Sequence, residues 1–310
     1  IAIMISFFGF SQENSSETKE KGHLNLNKFR QMYQEFSSPN MFRTAAGAPG
    51  PAYYQQQADY KMDIELDDRN KRIYGSETIT YTNNSPDNLE YLWVQLDQNV
   101  RKKDSPSLER DGSTVRPFYR PSGFTNEFLT DPFDGGFNVE YVKDEDGKTL
   151  SYFINQTMMR VDLPKVLKSG EKFSFSMKWW YNIQDHVNQN GRSGYETFQS
   201  DGNRSYIIAQ FFPRMAVYNE VEGWQNYQFW GNGEFALPFG NYEVKITVPA
   251  DHILDATGEL QNRKEVFSKD MLKRYNKAKK SYDKPVMIVT QYEAEEAEKS
   301  FSNNKKTWHF

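Results

Sequence analysis

The chain has 310 residues, enough for one large domain or two ordinary ones and well past the size at which a hydrophobic core is hard to build. Its 38 basic and 42 acidic residues leave a net charge of -4, which excludes an overall positive field that would gather phosphate backbones, so nucleic acid is not an expected partner. Cysteine is absent, which excludes disulfides, thiolate metal sites, a cysteine nucleophile and a lipobox anchor, while 19 Tyr, 23 Phe and 6 Trp tilt the composition towards β-sheet.

The first ten residues, IAIMISFFGF, are uncharged, apolar and too short to span a bilayer, and a polar run follows. This pattern is that of a secretory signal remnant over 1–12, so export to a periplasmic or extracellular location is expected, without stable membrane insertion. Residues 13–52 read as a flexible lead-in with one short helix at 26–36, where Leu26, Phe29, Met32, Tyr33 and Phe36 recur at helical spacing. The run around Pro49-Gly50-Pro51 delays order until about Tyr53.

From Tyr60 the chain alternates: Tyr60, Met62, Ile64 and Leu66 lie on one face, with Lys61, Asp63 and Glu65 on the other. A turn at 67–70 leads to a second strand carrying Ile73, Gly75, Glu77, Ile79 and Tyr81 in alternation, and 89–96 forms a third. Residues 98–130 are charged, rich in Pro, Ser and Gly and weakly patterned, and read as an insertion at the sheet edge. Strand patterns resume at 137–142, 150–154, 158–163 and 172–183. The segment 206–262 supplies two more, at 206–212 and 242–248, each stopped by a proline, Pro213 or Pro249. An amphipathic helix is expected at 268–280, a strand at 286–292, an acidic turn at 293–298 and the start of a strand at 306–310. The expected class is mainly β, a large antiparallel sheet or β-sandwich saddle with a few short helices.

The chemistry-bearing patterns are sparse. The four histidines, His23, His186, His252 and His309, are isolated, and no H-E-x-x-H occurs, so no metal ligand set is assigned within the chain. No G-x-S-x-G elbow or phosphate loop is present; Ser193-Gly194 and Gly231-Asn232-Gly233 read as turns. Asp131 and Asp134 lack a third ligand and also read as a turn. Trp179-Trp180-Tyr181 reads as buried packing, or else as a stacking platform for glycans or a protein partner.

Several phrases, taken in order, resemble zinc aminopeptidases of the aminopeptidase N and leukotriene hydrolase type, in the branch common in Bacteroidetes. In residues 53–99, GSETITYTNNSPDNL matches G-x-E-x-x-x-Y-x-N-x-S-x-D-x-L of that family's N-terminal saddle domain. GGFNVEYV and MMRVDLPKVLKSGEKFSFSMKWWYNI are similar to its strand, L-P and Leu-x-x-Gly pattern. AQFFPRMAVY, GEF, FGNYEVKITVP and ATGEL look like its A-Q-W-Y-P-R segment and the strands that follow.

The resemblance implies a saddle domain over 53–306 that packs on a thermolysin-like catalytic domain, of which 307–310 would be only the start. It implies zinc and a peptide substrate in the full-length enzyme, no cofactor in this chain, and no catalytic residue here, since G-x-M-E-N and H-E-x-x-H are absent. The family's T-Q-x-E-x strand lends a pocket Gln and an amine-binding Glu. Gln210 matches the Gln, whereas Phe212 stands where the Glu would be, so the amine grip falls to the other domain and Phe211 or Phe212 shapes an apolar pocket. The competing expectation is a free-standing β-sandwich that binds glycans or a protein.

Overall fold

A computed structural model describes residues 39–107, 117–125, 129, 133–189, 192–231, 233, 235–299 and 301–310. The apolar opening, the helix expected at 26–36, His23 and Asp131 lie outside the described residues.

The chain is mainly β, as its composition and alternation imply. The strands are β1 (Gln57–Asp67), β2 (Arg72–Thr82), β3 (Leu89–Gln95), β4 (Asn138–Asp144), β5 (Tyr152–Asn155), β6 (Met158–Leu167), β7 (Lys172–Asn182), β8 (Gly194–Thr197), β9 (Arg204–Ile207), β10 (Arg214–Met215), β11 (Tyr218–Asn219), β12 (Gly223–Trp224), β13 (Tyr242–Pro249) and β14 (Lys305–His309). Six of them form one sheet in the order β14-β13-β1-β2-β7-β4, and four form a second in the order β10-β3-β6-β5. Two small ribbons, β8-β9 and β11-β12, complete the set.

The sheet is not wholly antiparallel. Strand β13 returns from far along the chain to lie parallel to β1, pairing Tyr60 with Tyr242 and Ile64 with Ile246. Gly240 permits the approach: a Cβ there would fall 1.6 Å from the carbonyl oxygen of Ala58.

Period-two patterning puts Tyr60, Met62, Ile64 and Leu66 of β1, Ile79 and Tyr81 of β2, and Phe175, Met177, Trp179 and Tyr181 of β7 on the buried face. Leu92 and Val94 of β3 and Met159 and Val161 of β6 join the same core from the second sheet. Trp179 and Tyr181 are therefore core residues, in edge contact with Phe137 at 5.2 and 5.5 Å. Trp180 points to the other face, where the Arg72 guanidinium lies 4.6 Å from its ring centroid. The three aromatics form no exposed row.

The positions of G-x-E-x-x-x-Y-x-N-x-S-x-D-x-L all have packing roles. Gly75 leaves the space taken by the Trp179 indole, whose nearest ring carbon would sit 2.2 Å from an added Cβ. Glu77 is 2% exposed and Tyr81 fully buried. Asn83 donates to the carbonyls of Asp87 at 2.7 Å and Leu167 at 3.1 Å, and its own oxygen accepts from Ser85 Oγ at 2.6 Å. Asp87 accepts from Tyr218 Oη at 2.9 Å, which ties the β2–β3 turn to the β11-β12 ribbon.

Four local expectations differ. The segment before Tyr53 is already folded from Asn40, because its side chain accepts from the backbone of Phe42 and Arg43, and Arg43 pairs with the buried Glu220. Strand β6 runs on through Pro164, because its ladder to β3 is interrupted there and needs no N–H at that position. The expected strand 206–212 stops at Ile207. No strand forms at 286–292; a helix begins at Gln291 instead.

The helices are short: α1 (Pro121–Phe124), α2 (His186–Gln189), α3 (Arg263–Val266), α4 (Lys269–Ala278) and α5 (Gln291–Ala297). Ser268 caps α4 as the amphipathic pattern implies. Thr290 and Glu293 form a reciprocal capping box that starts α5, which outweighs the β-branched run before it. Arg274 of α4 then donates to the Ile288 carbonyl at 2.7 Å and to the Glu293 carboxylate, so the two helices are held together. No helix among the described residues is long and apolar enough to cross a membrane.

Candidate functional site

Strand β3 ends at Gln95 and passes through Leu96 into a 3-10 turn over Asp97–Arg101, in which Asp97, Gln98 and Asn99 are all buried. Three consecutive polar side chains are tolerated inside because each satisfies another loop. Asp97 takes the Arg214 guanidinium. Asn99 donates to the Gln156 carbonyl at 2.7 Å and accepts from the Phe137 amide at 2.8 Å. The stretch from residue 98, read as a sheet-edge insertion, thus begins as an interior hub.

Gln98 reaches the segment that carries the expected site residues. Its Nε2 donates to the carbonyls of Ala209 at 3.2 Å and Gln210 at 3.0 Å, while its Oε1 accepts from Arg101 at 3.1 Å. Arg101 also bonds Gln184, and Gln184 donates to the Ser193 carbonyl. Ser193 Oγ closes the ring, accepting from the Ala209 amide at 2.7 Å and donating to the Ala209 carbonyl at 2.9 Å. Within this ring Gln210 has φ +51°, a left-handed conformation uncommon for a residue with a side chain. The turn at Gln210 is why the expected strand ends early.

Turning the chain there sends the next two side chains apart. Phe211 lines a cavity of about 790 Å³ between the six-stranded sheet, the β8-β9 ribbon, the loop after β13 and α5. Phe212 packs edge-on against Tyr60 at 5.4 Å and Tyr242 at 6.2 Å, and those tyrosines stack at 4.9 Å. The phenyl rings of Phe211 and Phe212 still touch, at 5.0 Å. The three expected residues are therefore contiguous but face different surroundings.

The electrostatics are those of buried groups with few partners. Burial pushes the Asp97 carboxyl above its ordinary range, and the neighbouring Arg214 and then Arg101 pull it back only in part. Burial likewise lowers Arg101, opposed by Tyr181 and Asp97. Tyr60 is raised well above its ordinary value by burial, while its oxygen accepts from the Met215 amide at 2.9 Å. The carboxylate that this part of the chain offers, Asp97, is thus neutralised by Arg214 and 1% exposed.

No group of three or more His, Asp or Glu side chains among the described residues could hold a metal ion. Asp134 accepts from the Lys103 amide at 3.4 Å and serves a turn. His309 lies 3.3 Å from Glu243, and His252 lies 3.1 Å from Asp251. The described residues offer no ligand set that fits zinc.

Sequence reasoning named Gln210, Phe211 and Phe212 but missed Asp97, Gln98, Asn99, Arg101, Gln184 and Ser193. The available signal was the polar run Asp97-Gln98-Asn99 directly after an apolar strand, which local patterning alone assigns to a loop.

No family model matches the chain, and no curated protein does. Among solved structures it is similar to an M1 zinc metallopeptidase from Deinococcus radiodurans, with 12% identity, a TM-score of 0.36 and coverage of 69% of this chain and 37% of that one. A mutant of that enzyme aligns with 14% identity and a TM-score of 0.35 over the same shares. The mutant bound to a Tyr-Ser-Ala substrate aligns with 13% identity and a TM-score of 0.36, covering 67% of this chain and 36% of that one. The chain thus spans little over a third of the length of these structures, at TM-scores below the level from which a shared fold follows.

Proposed function

We propose that this chain is the N-terminal β domain of an exported zinc aminopeptidase, in which it docks a thermolysin-like catalytic domain and walls one side of the substrate cleft. The zinc and the catalytic groups belong to that other domain, and the chain alone is inactive. The observation that carries this reading is the backbone of Gln210, held left-handed by a closed ring of buried hydrogen bonds within the AQFFPR phrase that resembles the family. Strain over-determined by its surroundings is characteristic of sites that must present a side chain in one direction.

A second feature supports docking at the same end. Tyr242 is 45% exposed beside Phe212, and Phe239, which bridges to Gln57 at the start of β1, is 74% exposed, apolar surface that a partner domain would cover. The competing module reading loses its main support, since Trp179 and Tyr181 are buried and Trp180 lies against Arg72.

The test is the reading frame itself. It is expected to continue past Phe310 into G-x-M-E-N and H-E-x-x-H, and the longer product to cleave an aminoacyl reporter in a chelator-sensitive way. In that longer protein Gln210→Ala should raise KM by roughly fivefold with kcat little changed, as loss of uniform binding does. A stop codon immediately after Phe310, or chelator-sensitive turnover by the 310-residue chain alone, overturns the proposal.

A further inference from the structure

The cavity reached by Phe211 has an apolar floor and an acidic rim. Its floor is Ile64 and Leu66 of β1, Ile73 of β2, and Ile246 and Val248 of β13, side chains that the sheet presents whatever else is bound. Its walls are braced rather than loose. Asp68, in the β1–β2 turn, accepts from Tyr206 Oη at 2.6 Å and from Arg204 Nη1 at 3.0 and 3.1 Å, which fixes the β8-β9 ribbon to the sheet. Asn203 donates to the Glu298 carbonyl at 3.1 Å and Asp251 accepts from the Ser302 amide at 2.8 Å, which fix the end of α5 and the segment beyond it. A preformed space of about 790 Å³ lies within the size range of small-molecule sites.

The charge around this space is one-sided. Arg204 is paired with Asp68, and His252, the other basic side chain there, lies 3.1 Å from Asp251, which leaves the exposed Asp201, Asp255 and Glu298 as the carboxylates of the rim. Carboxylates at the mouth of a low-dielectric cleft raise the local concentration of cations and repel anions. The rim also carries exposed apolar side chains: Phe301 at 70%, Ile253 at 48% and Phe198 at 43%.

We infer that this cavity binds a small cationic amphiphile, an alkyl- or arylamine whose apolar tail lies on Ile64, Ile73 and Ile246 and whose ammonium meets the carboxylates of the rim. Apolar contact supplies the affinity and the rim supplies the sign selection. The site is complete within the described residues and does not depend on the chain being joined to a catalytic domain, so the two proposals fail separately.

The 310-residue chain is titrated calorimetrically with 4-phenylbutylamine, 4-phenylbutanol and 4-phenylbutyrate, three probes with one tail and three headgroup charges. The amine is expected to bind about tenfold tighter than the carboxylate, with the alcohol between them. The surface variant Asp255→Asn/Glu298→Gln is expected to weaken the amine about fivefold and leave the alcohol unchanged, since it removes only rim charge. Ala294→Phe, which fills the cavity from α5, is expected to abolish binding of both, with near-UV circular dichroism confirming the fold. Equal binding of amine and carboxylate, unaltered amine binding by the rim variant, or no saturable binding of any probe overturns the inference. The rim variant decides the matter by itself if Ala294→Phe does not fold.

Discussion

Gln98 Nε2 bonds the carbonyl of Gln210 at 3.0 Å and that of the preceding residue, Ala209, at 3.2 Å, so one buried amide holds both carbonyls around a residue with φ +51°. The two glutamines are 112 residues apart in sequence. One stabilises a conformation that the other would not adopt alone.

Replacing Gln98 by Leu keeps the volume but leaves both carbonyls without their donor in a buried setting. The expected loss is roughly 1 to 3 kcal/mol of unfolding free energy, read from urea denaturation. Gln210→Gly should in contrast be neutral or slightly stabilising, because glycine adopts positive φ freely. A Gln98→Leu chain as stable as the wild type would remove the clamp from the account.

Gly75 and Trp179 form a second fixed pair. Gly75→Ala drives a methyl group into the indole, with an expected cost of about 1 to 3 kcal/mol or more. Trp179→Phe is destabilising alone, but it should recover part of that cost when combined with Gly75→Ala. Additive effects in the double-mutant cycle would contradict the packing relationship.

Glu77 carries a pH dependence of known sign. Burial raises its carboxyl well above the ordinary value, the Trp179 indole favours the charged form, and neither group makes a formed hydrogen bond among the described residues. A raised carboxyl pKa means that the folded state holds a proton the unfolded chain has released, so stability falls as pH rises above the unfolded value of about 4.3. Glu77→Gln should therefore stabilise the protein at pH 8, and the gain should shrink as pH approaches 4. A gain that is the same at both pH values would rule out the titration as its source.

Glu293 has the opposite sign. The Arg274 side chain, and then the Thr290 backbone and hydroxyl, lower its carboxyl to about 2. A depressed carboxylate contributes stability that is present above the unfolded pKa and lost as pH falls from about 4.3 towards 2. Helical signal from α4 and α5 should weaken across that window, and Arg274→Gln should reduce the acid dependence, leaving the part that Thr290 supplies. The readout is far-UV circular dichroism of wild type and variant between pH 6 and pH 2.5.

Most of the secondary structure was legible because half-buried strands announce themselves by alternation. The strands holding Tyr60 and Ile79 came directly from period two, those holding Phe175 and Ile246 from strand-like runs bounded by turn or proline signals, and α4 from its apolar stripe. The strand expected at 286–292 was a misreading of a legible signal, since Thr290 and Glu293 stand at capping-box spacing. The stop at Ile207 was different. Nothing local in an apolar run such as YIIAQFF announces a left-handed residue, because the groups that impose it come from Gln98 and Ser193.

The sequence by itself determined the long strands β1, β2, β3, β7 and β13, the buried faces of β1 and β2 and a turn-and-core signature from Gly75 to Leu89, because side-chain period and turn chemistry act over a few residues. Only the tertiary structure decided that β13 lies parallel to β1, that Asp97-Gln98-Asn99 is an interior hub, and that Phe211 and Phe212 face different surroundings. Those outcomes rest on hydrogen bonds and packing between residues from 30 to more than a hundred positions apart, and the cost of leaving a buried polar group unpaired is met only when the distant partner arrives.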